Sequence, residues 1–107
     1  MIRVIFYRKD NRFFGFRLEG HAEYAEPGED ILCSAVSALA INTVNSLEEL
    51  TQDRIIAEVH DGMLRVKVSG KVSETSHILI RSLQIGLCNI YKEYGDSYVR
   101  IFFKEVD

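Results

Sequence analysis

The chain has 107 residues, 47% hydrophobic and 27% charged, the balance of a single globular domain, 1–107, with one core. Its 13 Lys and Arg against 16 Asp and Glu leave a net charge of −3. That balance argues against a nucleic-acid partner, whose phosphates call for a basic surface. Two Cys are too few for the disulfide framework of a small secreted domain. Met1 to Arg8 alternates instead of forming an apolar signal core, and no apolar run approaches the ~20 residues of a membrane crossing. The expectation is a cytoplasmic protein with free thiols and no membrane contact.

In chain order, Ile2 to Tyr7 alternates and is rich in β-branched and aromatic residues, which predicts a strand. Lys9-Asp10-Asn11 is turn chemistry, and Phe13 to Gly20 is a second strand with Phe14, Phe16 and Leu18 on one face, so the two form a hairpin. Pro27-Gly28 marks a loop. Asp30 to Leu50 has helical spacing, with Leu32, Val36, Leu39, Ala40, Leu47 and Leu50 as its core stripe and Asp30 as N-cap. Ile55 to Val59 and Leu64 to Val68 flank Asp61-Gly62, a second hairpin. Ser73 or Glu74 to Tyr94 is a second helix with the stripe Leu79, Leu83, Leu87, Ile90 and Gly95 at its C-terminal cap. Tyr98 to Phe103 is the last strand. The order ββαββαβ implies an α+β two-layer sandwich, two helices packed on a mostly antiparallel sheet. The strand order does not follow from the pattern.

The chemistry centres on Cys33 and His21. Counted from Asp30, Cys33 falls in the first helical turn, among amides with no intrahelical acceptor and at the positive end of the helix dipole. A thiol there ionises more readily, and the thiolate is the reactive form. The same amides could receive the oxyanion of a tetrahedral intermediate. A nucleophile also needs a base. His21 follows the second strand, and the segment Ala22 to Glu29 leads from it to the helix start. Folding the helix back on the sheet brings these two ends together. Gly20 reduces bulk beside His21, Asp30 can cap the helix or orient His21, and Ser37 lies one turn from Cys33 on the same face. The connector, with Glu23, Glu26 and Glu29, is polar and suited to a mobile lid. A helical Cys can equally be a small buried hydrophobe, and mid-helix Cys88 reads that way. His60 and His77 read as surface residues, and the Cys and His spacings match no zinc pattern.

Gly20-His21-Ala22, followed by Gly28-Glu29-Asp30-Ile31-Leu32-Cys33-Ser34-Ala35-Val36-Ser37, resembles the signature of the ribosomal-processing cysteine protease family, Prp. The resemblance extends to chain length and element order. It implies a cysteine endopeptidase that removes a short N-terminal extension from a large-subunit ribosomal protein, the one numbered twenty-seven, cutting after an aromatic residue. It implies His21 as base and Cys33 as nucleophile, with Gly20, Asp30 and Ser37 in support. It also implies no cofactor or metal, and a homodimer. Small and apolar positions beside the core stripes, namely Ser34, Ala38, Ile41 and Asn45 on the first helix and Ile78 and Ile85 on the second, fit packing against another chain. Two other readings stand beside this one. One is a non-catalytic ribosome-assembly or peptide-binding module whose helix terminus holds a carboxylate or carbonyl; the other is a redox-sensing thiol protein.

Overall fold

The computed structural model describes residues 1–20, 29–95 and 98–106, with residues 29 and 30 described in their backbone only. The elements are β1 (Ile2–Lys9), β2 (Arg12–Glu19), α1 (Glu29–Leu50), β3 (Arg54–His60), β4 (Met63–Ser69), α2 (Glu74–Tyr94) and β5 (Val99–Glu105). The expected ββαββαβ order and two-layer α+β architecture are present. The five strands lie in the order β3-β4-β2-β1-β5, antiparallel except for β1 and β5, which pair in parallel.

Turn chemistry closes both hairpins. Asp10 and Asn11 have φ of 52° and 65°, the left-handed pair that a two-residue turn needs to match strand twist. Gly62, φ 70°, does the same work between β3 and β4. β5 is fastened beside β1 at both ends, by Ile2 N–H donating to the Tyr98 carbonyl and Val106 N–H to the Arg8 carbonyl, each at 2.8 Å.

Val4, Phe6, Phe16, Val66 and Val99 meet Val36, Ala40 and Leu47 of α1 and Ile80, Leu83 and Leu87 of α2, all buried. Both helix stripes are rotated from the expected ones. On α1, Leu39 and Leu50 are exposed while Thr43 is buried. The Thr43 hydroxyl donates to the Leu39 carbonyl at 2.8 Å, so the polar group enters the core satisfied. On α2, Ser76, Ile80 and Gln84 are buried, and Leu79 and Ile90 pack at the margin. The segment Ile31–Leu50, mean hydropathy 1.3, has the length and composition of a membrane crossing, contrary to the expectation that no run approaches that length. Here Leu32, Val36, Ala40 and Leu47 are spent on the core.

One departure re-aims a strand. Tyr7 pairs with Gly15 but Arg8 pairs with Phe13, leaving Phe14 as an extra residue in a β-bulge. Phe13 and Phe16 therefore both face the core. Phe14, expected beside Phe16, is only half-buried, with its ring 6.0 Å from that of Tyr7. A Cβ at Gly15 would run into the Val66 carbonyl, so the close approach of β2 and β4 needs glycine there.

Candidate active site

β2 ends at Glu19, and the next residue, Gly20, has φ +85°. Its amide donates to the Gly62 carbonyl at 2.8 Å, and a Cβ there would collide with the Met1 carbonyl. Glycine is thus needed on two counts, backbone region and space, so its role is to set the direction in which the chain leaves β2. His21, Pro27-Gly28 and the rest of the connector, and the side chain of Asp30, lie outside the described residues.

α1 begins at Glu29, one residue before the expected start, so Asp30 belongs to the helix and is not its cap. Cys33 is then the fifth helical residue, about 6 Å along the axis from the first. In a regular helix its own amide already joins the i→i−4 ladder, so the free amides are those before it. The thiol still faces the positive end of the dipole from close range. Cys33 is a free, half-buried cysteine at the margin of the core, between buried Leu32 and Val36 and one turn before exposed Ser37. A half-exposed thiol at a helix start can be reached by a substrate. Cys88 differs. Its sulfur accepts from Gln84 Nε2 at 2.9 Å, and Arg81 in turn bonds the Gln84 carbonyl oxygen.

Two polar arrangements went unread in the sequence. Asp53 accepts from the Ser73 amide at 3.0 Å and from the Ser73 and Ser76 hydroxyls at 2.6 Å, while the Ser73 hydroxyl caps α2 by accepting from the Ser76 amide. Burial works to raise the Asp53 pKa, but these hydrogen bonds outweigh it and hold the carboxyl below its ordinary range. His77, expected at the surface, is half-buried: its Nδ1 accepts from the Phe13 amide at 2.9 Å and its ring stacks on that of Phe13. Burial, then the charges of Arg12 and Arg81, hold its pKa below the ordinary imidazole value against an opposing pull from Glu74. Ser-x-x-Ser at a helix start and an imidazole in the next turn were the available signals; their partners lie 20 or more residues away in sequence. A cavity of about 800 Å³ is lined by Lys9, Asp10, Arg12, Phe14, Lys67 and Lys71 among others. It opens at the Asp10–Asn11 end of the sheet, opposite the end where Gly20 meets Gly62.

The chain matches the family model for cysteine protease Prp over residues 1–100. It is 26% identical over 89 residues to the ribosomal processing cysteine protease Prp of Staphylococcus aureus, covering 81% of this chain and 83% of that protein. Against Prp of Bacillus subtilis it is 24% identical over 94 residues, covering 82% and 84%. A Streptococcus mutans crystal structure superposes with TM-score 0.87 at 28% identity, covering 99% of both chains. S. aureus Prp, crystallised with a covalently linked product peptide, superposes with TM-score 0.85 at 25% identity, covering 97% of this chain and all of that one. With the half-exposed Cys33 at a helix start and the two-layer fold, these likenesses identify the chain as a member of the Prp family of ribosomal-processing cysteine proteases.

Proposed function

We propose that this protease removes an N-terminal extension from the large-subunit ribosomal protein numbered twenty-seven, cutting after an aromatic residue, with Cys33 as nucleophile and His21 as base. The observation that carries the reading is a free, half-exposed Cys33 in the opening turns of α1, within the family match. In this mechanism His21 takes the thiol proton, and Cys33 Sγ attacks the carbonyl carbon of the aromatic residue. The oxyanion collapses to a thioester as the C–N bond breaks, and His21 returns the proton to the leaving amine. Water, deprotonated by the same imidazole, then hydrolyses the thioester. Gly20 supports His21 by fixing the exit from β2, and Ser37 supports the sulfur from one turn away. The covalently linked product peptide of S. aureus Prp is in keeping with a thioester-forming Cys.

The same reading places the protein in the cytoplasm, beside nascent ribosomes, as a homodimer joined through its helical layer. Exposed Ile41 on α1 and Ile78 and Ile85 on α2 support that interface. The test is incubation with a peptide that joins the extension to the start of the mature ribosomal protein, followed by mass spectrometry. A single cut after the aromatic residue is expected, and it should be lost in Cys33→Ala. An intact peptide, or an equal cut of a peptide with Ala in place of the aromatic, would refute the reading.

A further inference from the structure

The net charge of −3 averages over two unlike surfaces. Helices α1 and α2 carry six acidic residues against two basic ones, Arg81 and Lys92. The sheet face turned away from them is the reverse. Alternation from the buried residues of β1, β2, β4 and β5, with the β4 register for β3, puts Arg3, Ile5 and Tyr7 of β1 on that face. Arg17 and Glu19 of β2, Arg65 and Lys67 of β4, Arg54 and Glu58 of β3, and Arg100, Phe102 and Lys104 of β5 join them. Seven of the 13 Lys and Arg of the chain thus share the face with two of its 16 acids.

The pairing across strands sharpens the point. Arg3 stands opposite Arg100, and Arg17 opposite Arg65. Like charges directly opposite cost stability, so folding alone does not favour them. Arg17 and Arg65 are partly offset by Glu19 at 3.1 Å and Glu58 at 3.7 Å. Arg3, Arg54, Lys67, Arg100 and Lys104 form no ion pair among the described residues. At the centre of the face, Arg17 Nε is enclosed yet has no hydrogen-bond acceptor among the described residues. Aromatic rings are interleaved with these charges: Tyr7 in contact with Phe14, and Phe102, 44% exposed. The face runs into the 800 Å³ cavity, whose lining mixes apolar residues and one acid, Asp10, with Lys9, Arg12, Lys67, Lys71 and Phe14.

We propose that this uncovered sheet face binds single-stranded RNA, with the arginines and lysines on its phosphates and Tyr7, Phe14 and Phe102 under its bases. A twisted sheet with strands about 4.8 Å apart offers a broad platform. A basic surface with stacking rings is the chemistry that holds single strands without sequence preference. A second copy of the chain does not suit the face, because two such basic faces repel. The choice of RNA over DNA rests on the ribosomal reading above; the basic and aromatic surface itself does not.

The experiment is fluorescence anisotropy of the full chain with a labelled single-stranded RNA of about 12 nucleotides, over roughly 50 to 200 mM salt. If about five phosphates are neutralised, Kd should rise about a hundredfold across that range. Arg17→Gln with Arg65→Gln should weaken binding about tenfold at low salt and flatten the salt slope. Phe102→Ala should weaken it about tenfold while leaving the slope intact. Lys92→Gln on the helical layer should change neither. The face is overturned by absence of binding at the lowest salt, by face variants that bind like the parent, or by equal affinity for a polyglutamate peptide of that length, and the choice of RNA by equal affinity for a DNA strand. Peptide cleavage, measured on the same variants, separates the two readings. RNA binding without cleavage would refute the protease assignment of substrate, and cleavage without RNA binding would refute the face.

Discussion

At the start of α2, side chains from elsewhere in the chain occupy the helix terminus. Ser73 caps it, Asp53 reaches across from just before β3 to hold the Ser73 amide and the Ser73 and Ser76 hydroxyls, and His77 ties the next residue to the β2 bulge. At the start of α1, the turn that follows Glu29 and Asp30 brings up a thiol, Cys33, partly open to solvent. Both termini carry the same dipole and the same surplus of amides. In α2 those groups serve to anchor the helix to the sheet. In α1 they lie beside the thiol of Cys33, which the proposed mechanism uses as nucleophile. The difference teaches that a helix N-terminus is a resource for stability or for chemistry, according to what the chain places there.

If that division holds, substitutions in the two termini separate cleanly. Cys33→Ala and Cys33→Ser should lower cleavage of the extension peptide by about three orders of magnitude or more, with thermal unfolding nearly unchanged. His21→Ala should do the same, and Cys88→Ala should keep activity. Substantial turnover by Cys33→Ala would erase the distinction.

Asp53→Ala is the mirror experiment. It removes the acceptor of three hydrogen bonds and leaves the buried Ser76 hydroxyl without its partner. Urea denaturation should show a loss of about 3 kcal/mol, while kcat per folded molecule stays at the parent value. A large fall in kcat in the folded variant would mean that the α2 terminus takes part in the chemistry. Ser73→Ala, the loss of a cap, should cost about 1 kcal/mol in the same assay, again with kcat unchanged.

The smallest expected effect is on the pH dependence of stability. The folded state holds His77 below its ordinary value of 6.5, so below that pH the unfolded chain takes up a proton that the folded chain resists. The contribution is full above about 6.5 and lost as the pH falls towards the lower folded value. Asp53 adds a second loss at more acid pH. Its carboxyl is held below 3.8 when folded, so its contribution is present above that value and disappears as the pH falls through the folded pKa. Replacing His77 with Gln should flatten the first slope and leave the second. An unchanged first slope would show that another group causes it.

Much of this could be read from sequence because the signals are local. Alternation in Ile2 to Tyr7, helical spacing after Asp30, Asp61-Gly62 and Gly95 each act through neighbours within a few residues. The elements accordingly fall within a residue or two of their expected bounds. The place of Cys33 near a helix start was legible for the same reason, since it is counted from neighbouring residues. Its own amide was misjudged because the helix begins at Glu29, and even a one-residue shift of the start changes which amides are free.

The composition and spacing of the chain determined which segments are strands and helices, which end of α1 carries the thiol, and which glycines must turn. The tertiary structure decided the strand order, the bulge that moves Phe14 off the core face, the rotation of both helix stripes, and the Asp53 and His77 contacts. It also sorted the charges, basic on one face of the sheet and acidic on the helices. These features depend on pairings between residues far apart in sequence. Arg3 meets Arg100, and Phe13 meets His77, only once the sheet has closed and the helices have packed, and no local periodicity carries that information.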